Sequence, residues 1–98
     1  MSPPLILSAE ARADVNEAAD WYGERSPELG DRFIDAVRDM LKHIHRAPRL
    51  YGVVWKDVRC ARVRRFPYAI YYQVRPEGVV VFAIVHTKRD PGVWQSRV

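Results

Sequence analysis

The sequence predicts a single α+β domain spanning residues 1–98, in the order β-α-α-β-β-β, with a helical hairpin packed on a small, mostly antiparallel sheet. Three observations carry that expectation. Two long segments in the first half repeat their apolar residues at helical spacing. Beyond residue 57 the period shortens toward two, in runs rich in Val, Ile, Tyr and Phe that flank a Pro-Glu-Gly turn. At 98 residues with 48% hydrophobic and 29% charged side chains, the chain has the makeup of an ordinary globular protein with one core.

Leu5-Ile6-Leu7 is an apolar run of strand length behind two prolines, suited to an edge or starting strand. Ser8 is placed to cap a helix beginning at Ala9, with Glu10 favourable in its first turn. Ala11, Val15, Ala18 and Tyr22 form the buried stripe, and Gly23 and Pro27 mark the stop. Ser26-Pro27-Glu28 then reads as a second helix start, with Ser at the N-cap and Pro at the first helical position. Its stripe is Leu29, Phe33, Val37, Met40 and Ile44, widened by Ile34, Ala36 and Leu41, and Pro48 ends it. Residues 47–57 read as a connecting loop. A strand over 58–66 alternates poorly, so a bulge near Cys60-Ala61 is expected to reconcile its two registers. Residues 68–75 alternate cleanly, with Tyr68, Ile70, Tyr72 and Val74 on one face. Arg75-Pro76-Glu77-Gly78 is a tight turn, and the run 79–85, apolar on both faces, is expected to be the most buried strand.

The net charge of +4 is unevenly spread: residues 1–50 hold 7 Lys/Arg and 9 Asp/Glu, whereas residues 51–98 hold 9 and 3. The C-terminal half, where the strands lie, is therefore +6 and the helical half −2. Such a field attracts a polyanion or an acidic protein, and it equally protects an exposed sheet edge. No apolar run reaches the ~20 residues that span a bilayer. The N-terminal stretch lacks the basic and long apolar regions of a signal peptide, so no membrane association and a cytoplasmic location are expected.

No metal site and no cofactor are expected. His43 and His45 point to different sides of a helix, His86 has no second ligand near it in sequence, and the five glycines form no phosphate-cradling loop. Cys60, the single cysteine, lies mid-strand and reads as a small core residue. What remains is a cluster of cations and aromatics on the sheet: Arg59, Arg62, Arg64, Arg65, Tyr71, Arg75, His86, Lys88, Arg89 and Trp94. Cations there could stabilise phosphate charge, with Tyr71, His86 or Lys88 moving protons. Each also has a structural alternative: Trp94 as a tail anchor, Arg89-Asp90 as a local ion pair, His86 as a polar cap.

The ordered set Arg65-Phe66-Pro67-Tyr68-Ala69-Ile70-Tyr71-Tyr72, residues 79–85, His86, Arg89-Asp90-Pro91 and Trp94 resembles the RelE/ParE superfamily of type II toxins. Ala18-Ala19-Asp20-Trp21-Tyr22, Pro48 and Tyr51 fit the same resemblance. It implies a small growth-arresting toxin, held as a hetero-oligomer with a cognate antitoxin that wraps part of itself around the sheet and helices. RelE-like members cut messenger RNA in the ribosomal A site with basic residues on the sheet and a tyrosine near the C-terminus. Ala69 stands where those nucleases carry an arginine and Trp94 near where they carry the tyrosine, while Arg89 matches their motif. Indole neither gives nor takes a proton usefully, and losing a cation costs on the order of 10²–10³ in rate.

The resemblance therefore implies a ParE-like, plasmid-stabilisation type of toxin that inhibits DNA gyrase by protein contact without catalysis of its own. The contact residues it implies are Arg59, Arg62, Arg64, Arg65, Arg75, Arg89 and Trp94. Two alternatives stay open. One is a ribosome-dependent, metal-independent endoribonuclease using Arg89, Lys88, His86 and Tyr71. The other is a non-toxic structural or regulatory relic of the same fold.

Overall fold

The computed structural model describes residues 3–98. In chain order these form β1 (Leu5–Leu7), α1 (Ala9–Arg25), α2 (Pro27–Arg46), β2 (Val53–Trp55), β3 (Val58–Arg62), β4 (Tyr68–Arg75), β5 (Gly78–His86) and α3 (Gly92–Gln95). The sheet order is β1-β5-β4-β3-β2. β1 runs parallel to β5, and every other pairing is antiparallel. No described helix is long and apolar enough to cross a membrane.

The helical hairpin forms as the apolar spacing predicts. Ser8 caps α1, its hydroxyl accepting from the Ala11 N–H at 3.0 Å. Ser26 stands at the N-cap of α2, but its side chain makes no capping bond, and its carbonyl takes the Leu29 and Gly30 N–H groups instead. Gly23 does not stop α1, which continues to Arg25. A Cβ on Gly30 would lie 3.1 Å from the Gly23 Cα and 3.1 Å from the Ala19 carbonyl, so the small residue lets the two helices approach closely. Phe33, Val37, Met40 and Ile44 enter the core against Ile70, Tyr72, Val79, Val81 and Ile84 of the sheet. Phe33 and Ile44 are fully buried and contribute about 1.5–3 kcal/mol each. The His45 ring meets the Pro3 carbonyl at 2.6 Å, close to β1.

The sheet departs from expectation first at β3. β3 ends at Arg62 rather than Phe66, and it pairs with β4 in unbroken register, Arg59 to Tyr72 through Arg62 to Ala69. There is no bulge at Cys60-Ala61. Alternation looked poor because the sheet buries apolar side chains on both faces. Ala61 and Val63 meet the helices, whereas Val58 joins a second cluster with Phe82, Ala83, Val85 and Trp94 on the far face. That far cluster is closed by α3, a short element not foreseen, and β2 forms within the expected 47–57 loop. The register shift lies elsewhere, between Tyr71 and Tyr72 opposite Ala83 and Val81, so Phe82 is the extra residue on β5. The bulge gives two consecutive residues, Phe82 and Ala83, to the far cluster. β5 is the most buried strand, as its two-sided apolar run predicts.

Candidate interaction surface

The sequence-derived residues do not converge on one site; the fold distributes them over both faces and both ends of the sheet. On the helix side, His86 and Arg89 open onto a cleft of about 430 Å³ with Asp14, Glu17, Trp21 and Tyr22 of α1 and with Tyr68. The His86 ring lies edge-on to Tyr68 at 5.4 Å. Its Nδ1 accepts the Lys88 backbone N–H at 3.0 Å, which places the proton of the neutral ring on Nε2. Lys88 itself is exposed. Burial raises the Tyr68 phenol above its ordinary value and nearby Tyr22 adds to this, against the opposing pull of Arg89. Asp90 makes no ion pair with Arg89; its carboxylate accepts the Gly92 N–H at 2.8 Å and so starts α3.

Tyr71 lies on the opposite face. Its ring stacks on Trp94 with centroids 4.2 Å apart and 14° between planes, and Trp55 meets Trp94 edge-on at 5.8 Å. Burial raises the Tyr71 phenol, and neighbouring Cys60 raises it further. The Cys60 thiol is likewise pushed up, chiefly by burial. Trp94, read from the sequence as a contact residue, is 6% exposed: stacking buries it as the anchor of α3. Arg62 is exposed at the end of β3 on this same side. The sheet thus stands between Tyr71 and the pair His86 and Arg89, two parts of the set that an endoribonuclease would need together.

Four further arginines hold other places. Arg59 donates to the Tyr51 carbonyl at 2.6 Å and the Arg49 carbonyl at 3.2 Å, so its guanidinium pins the loop ahead of β2. Arg75 donates through Nε and Nη2 to the Gln73 side-chain oxygen, and Gln73 in turn donates to Asp57 at 2.8 Å. That last bond is the main reason the Asp57 carboxyl sits below its ordinary value. Arg64 and Arg65 occupy the β3–β4 connection across from α2, where Arg32, absent from the sequence-derived set, joins them.

One cluster escaped sequence reading altogether. Arg97 pairs with Asp14 at 2.6 Å and 3.2 Å and donates to the Phe82 carbonyl at 3.2 Å. Asp14 also accepts the Ile84 N–H at 3.0 Å. β1 pairs with β5 only over Val79–Val81, so this ion pair takes the place of a neighbouring strand along the next stretch of the β5 edge. Two residues 83 apart in sequence, each looking like an ordinary surface charge, left no signal that they meet.

Fold and surface together define a small α+β domain that offers exposed arginines on several sides and packs most of its aromatics in or against two apolar cores. The chain belongs to the ParE toxin family: the family described as ParE toxin of type II toxin-antitoxin system, parDE, matches residues 5–91. Among relatives, Toxin ParE2 of Mycobacterium tuberculosis, in strains CDC 1551 / Oshkosh and ATCC 25618 / H37Rv, is 28% identical over 89 residues, covering 87% of this chain and 82% of the relative. Among solved structures, a chain of the chromosomal ParDE TA system from P. aeruginosa has a TM-score of 0.78 at 17% identity, covering 87% of this chain and 96% of that one. This last likeness establishes the shared fold.

Proposed function

We propose that this ParE-family chain inhibits DNA gyrase by direct protein contact in the cytoplasm and is neutralised by a cognate antitoxin bound as a hetero-oligomer. The observation that carries the reading is the family match across residues 5–91. The placement of the nuclease-type positions supports it. Ala69, where a cation would serve RNA cleavage, is 2% exposed, and Trp94, near where a tyrosine would serve it, is packed against Tyr71. The exposed arginines of the C-terminal half supply a positive field for fast capture of acidic partner surfaces.

The test is a gyrase supercoiling and cleavage-complex assay with purified chain at micromolar concentration. Inhibition that an equimolar antitoxin relieves is the expected result; unchanged supercoiling and no trapped cleavage complex would sink the reading. A second reading, ribosome-dependent mRNA cleavage, draws on one observation: His86, Arg89 and Tyr68 share the α1 cleft. It predicts transcript cutting in a translating extract that Arg89→Ala abolishes. The same extract, run beside the gyrase assay, separates the two targets.

A further inference from the structure

A smaller cleft, of about 290 Å³, lies between α1 and α2 beside Leu7 of β1. Its apolar lining comes from Val15 on α1 and from Ile34, Val37 and Leu41 at helical spacing on α2. Val37 and Leu41 are buried members of the core, so packing fixes the bottom of the cleft. Leu7 and Val15 are half-buried against that core. Ile34 is half-buried as well yet joins neither core, although its spacing on α2 marks it for the apolar stripe. Its side chain keeps apolar surface that no core of the chain takes up.

The charges on this cleft have one sign. Arg12 and Arg38, one from each helix, are exposed along it, and Asn16 follows Arg12 by one helical turn. No acidic residue lines the cleft. Among the described residues neither arginine forms an ion pair, since the two pairs present are His43 with Asp39 and Arg97 with Asp14. Even Asp35, three residues before Arg38 on α2, does not take it up. Two uncompensated cations thus flank an apolar slot in the half of the chain whose net charge is −2.

We propose that this cleft binds a single-chain anionic amphiphile, a medium-chain fatty carboxylate, with its alkyl chain against Val15, Ile34 and Leu41 and its carboxylate on Arg12 and Arg38. A guanidinium fork matches the two oxygens of a carboxylate, and the Asn16 amide supplies a further donor. A cationic amphiphile would meet two guanidinium groups and no acid. The volume of about 290 Å³ lies at the small end of ligand pockets, which suits one chain and not a two-chain lipid. A peptide segment would bring backbone N–H and C=O groups to walls whose one uncharged polar side chain is Asn16. The site goes beyond the gyrase reading and stands without it, because it assigns a ligand to the helical hairpin and needs nothing from the basic C-terminal half.

The experiment is an amide NMR titration of the full chain with hexanoate, octanoate and decanoate below their micelle concentrations, beside 1-octanol, octylammonium and phosphatidylglycerol vesicles. Saturable shifts centred on Val15, Ile34 and Leu41 are expected for the carboxylates, tightening by about fourfold per added methylene. Octanol should bind about tenfold more weakly than octanoate, and octylammonium should give no saturable shift. Arg12→Ala and Arg38→Ala, both at exposed positions, should each weaken octanoate binding by about three- to tenfold with an unchanged thermal midpoint. Arg75→Ala, at the β4–β5 turn, should leave binding unchanged. Affinity independent of chain length, octylammonium binding as well as octanoate, or shifts that both arginine variants retain would each overturn the proposal. So would binding to the vesicles without binding to octanoate, which would assign the arginines to a membrane surface. Ligand-free shifts at Ile34 that move with protein concentration would give the cleft to a second copy of the chain and overturn it as well.

Discussion

Tyr72 ties the segment after α2 to the sheet: its phenol donates to the Pro48 carbonyl at 2.6 Å and its ring has no solvent exposure. Burial pushes the phenol up from 10.0 to about 12. The folded state therefore holds this proton more tightly than the unfolded chain does. The associated stability is fully present below the unfolded value of 10.0 and is lost as pH rises through the folded value of about 12. The loss is on the order of 2–3 kcal/mol for a shift of this size. In urea unfolding followed across that window, Tyr72→Phe should show a shallower alkaline decline and cost about 1 kcal/mol at neutral pH, where the Pro48 carbonyl loses its donor. An identical slope in both proteins would refute the assignment. At Asp14 and Arg97, with side chains 12% and 20% exposed, Arg97→Ala should cost about 1–3 kcal/mol. Asp14→Ala should cost more, because it also strips the Ile84 N–H of its acceptor. The order of the two denaturation midpoints checks this.

Among the elements, β1 depends on a glycine beside it. Gly78 has φ +147°, and a Cβ there would collide with the Pro4 carbonyl, which accepts the Val79 N–H at 2.9 Å. Gly78→Ala should therefore destabilise by roughly 2–4 kcal/mol and speed hydrogen exchange at the Val79 amide as β1 detaches. Unchanged protection at Val79 would show that β1 holds without this close approach. The Pro-Glu-Gly turn itself was readable because Pro and Gly act locally on φ. α3 was not, since four residues carry too little periodicity to register as a helix. It exists because the Asp90 carboxylate takes the Gly92 N–H and Trp94 finds Tyr71, and the second of these is a long-range contact. β2 was hidden for a related reason: it has three residues, Val53 and Val54 are exposed, and only pairing with β3 makes it a strand.

The whole molecule has a charge asymmetry that secondary structure does not disturb: +6 on residues 51–98 against −2 on residues 1–50. Capture of an acidic partner such as the proposed antitoxin should accordingly slow by about tenfold or more as the Debye length falls from about 10 Å at 0.1 M salt to about 3 Å at 1 M. Stopped-flow association rates over that range are the measurement, and a flat salt profile would exclude electrostatic steering. The field is not concentrated at one point. Arg59 and Arg75 are engaged by groups of their own chain, whereas Arg62, Arg64, Arg65 and Arg89 are exposed. Sequence alone treated these as one cluster because all of them lie within residues 59–89.

Local patterns determined the helical hairpin, β4, β5 and the α+β class, because cap, turn and apolar period each act over a few neighbouring residues. The family likeness was readable for the same reason, since the motif blocks keep their order along the chain. Tertiary structure alone decided that the sheet has two apolar faces, that Trp94 is buried, and that Tyr71 and His86 lie on opposite sides. It alone joined Arg97 to Asp14, and Arg32 to Arg64 and Arg65 around one cleft. Which charge meets a partner and which is exposed depends on pairing between residues far apart in sequence, and no local pattern along the chain encodes those distances.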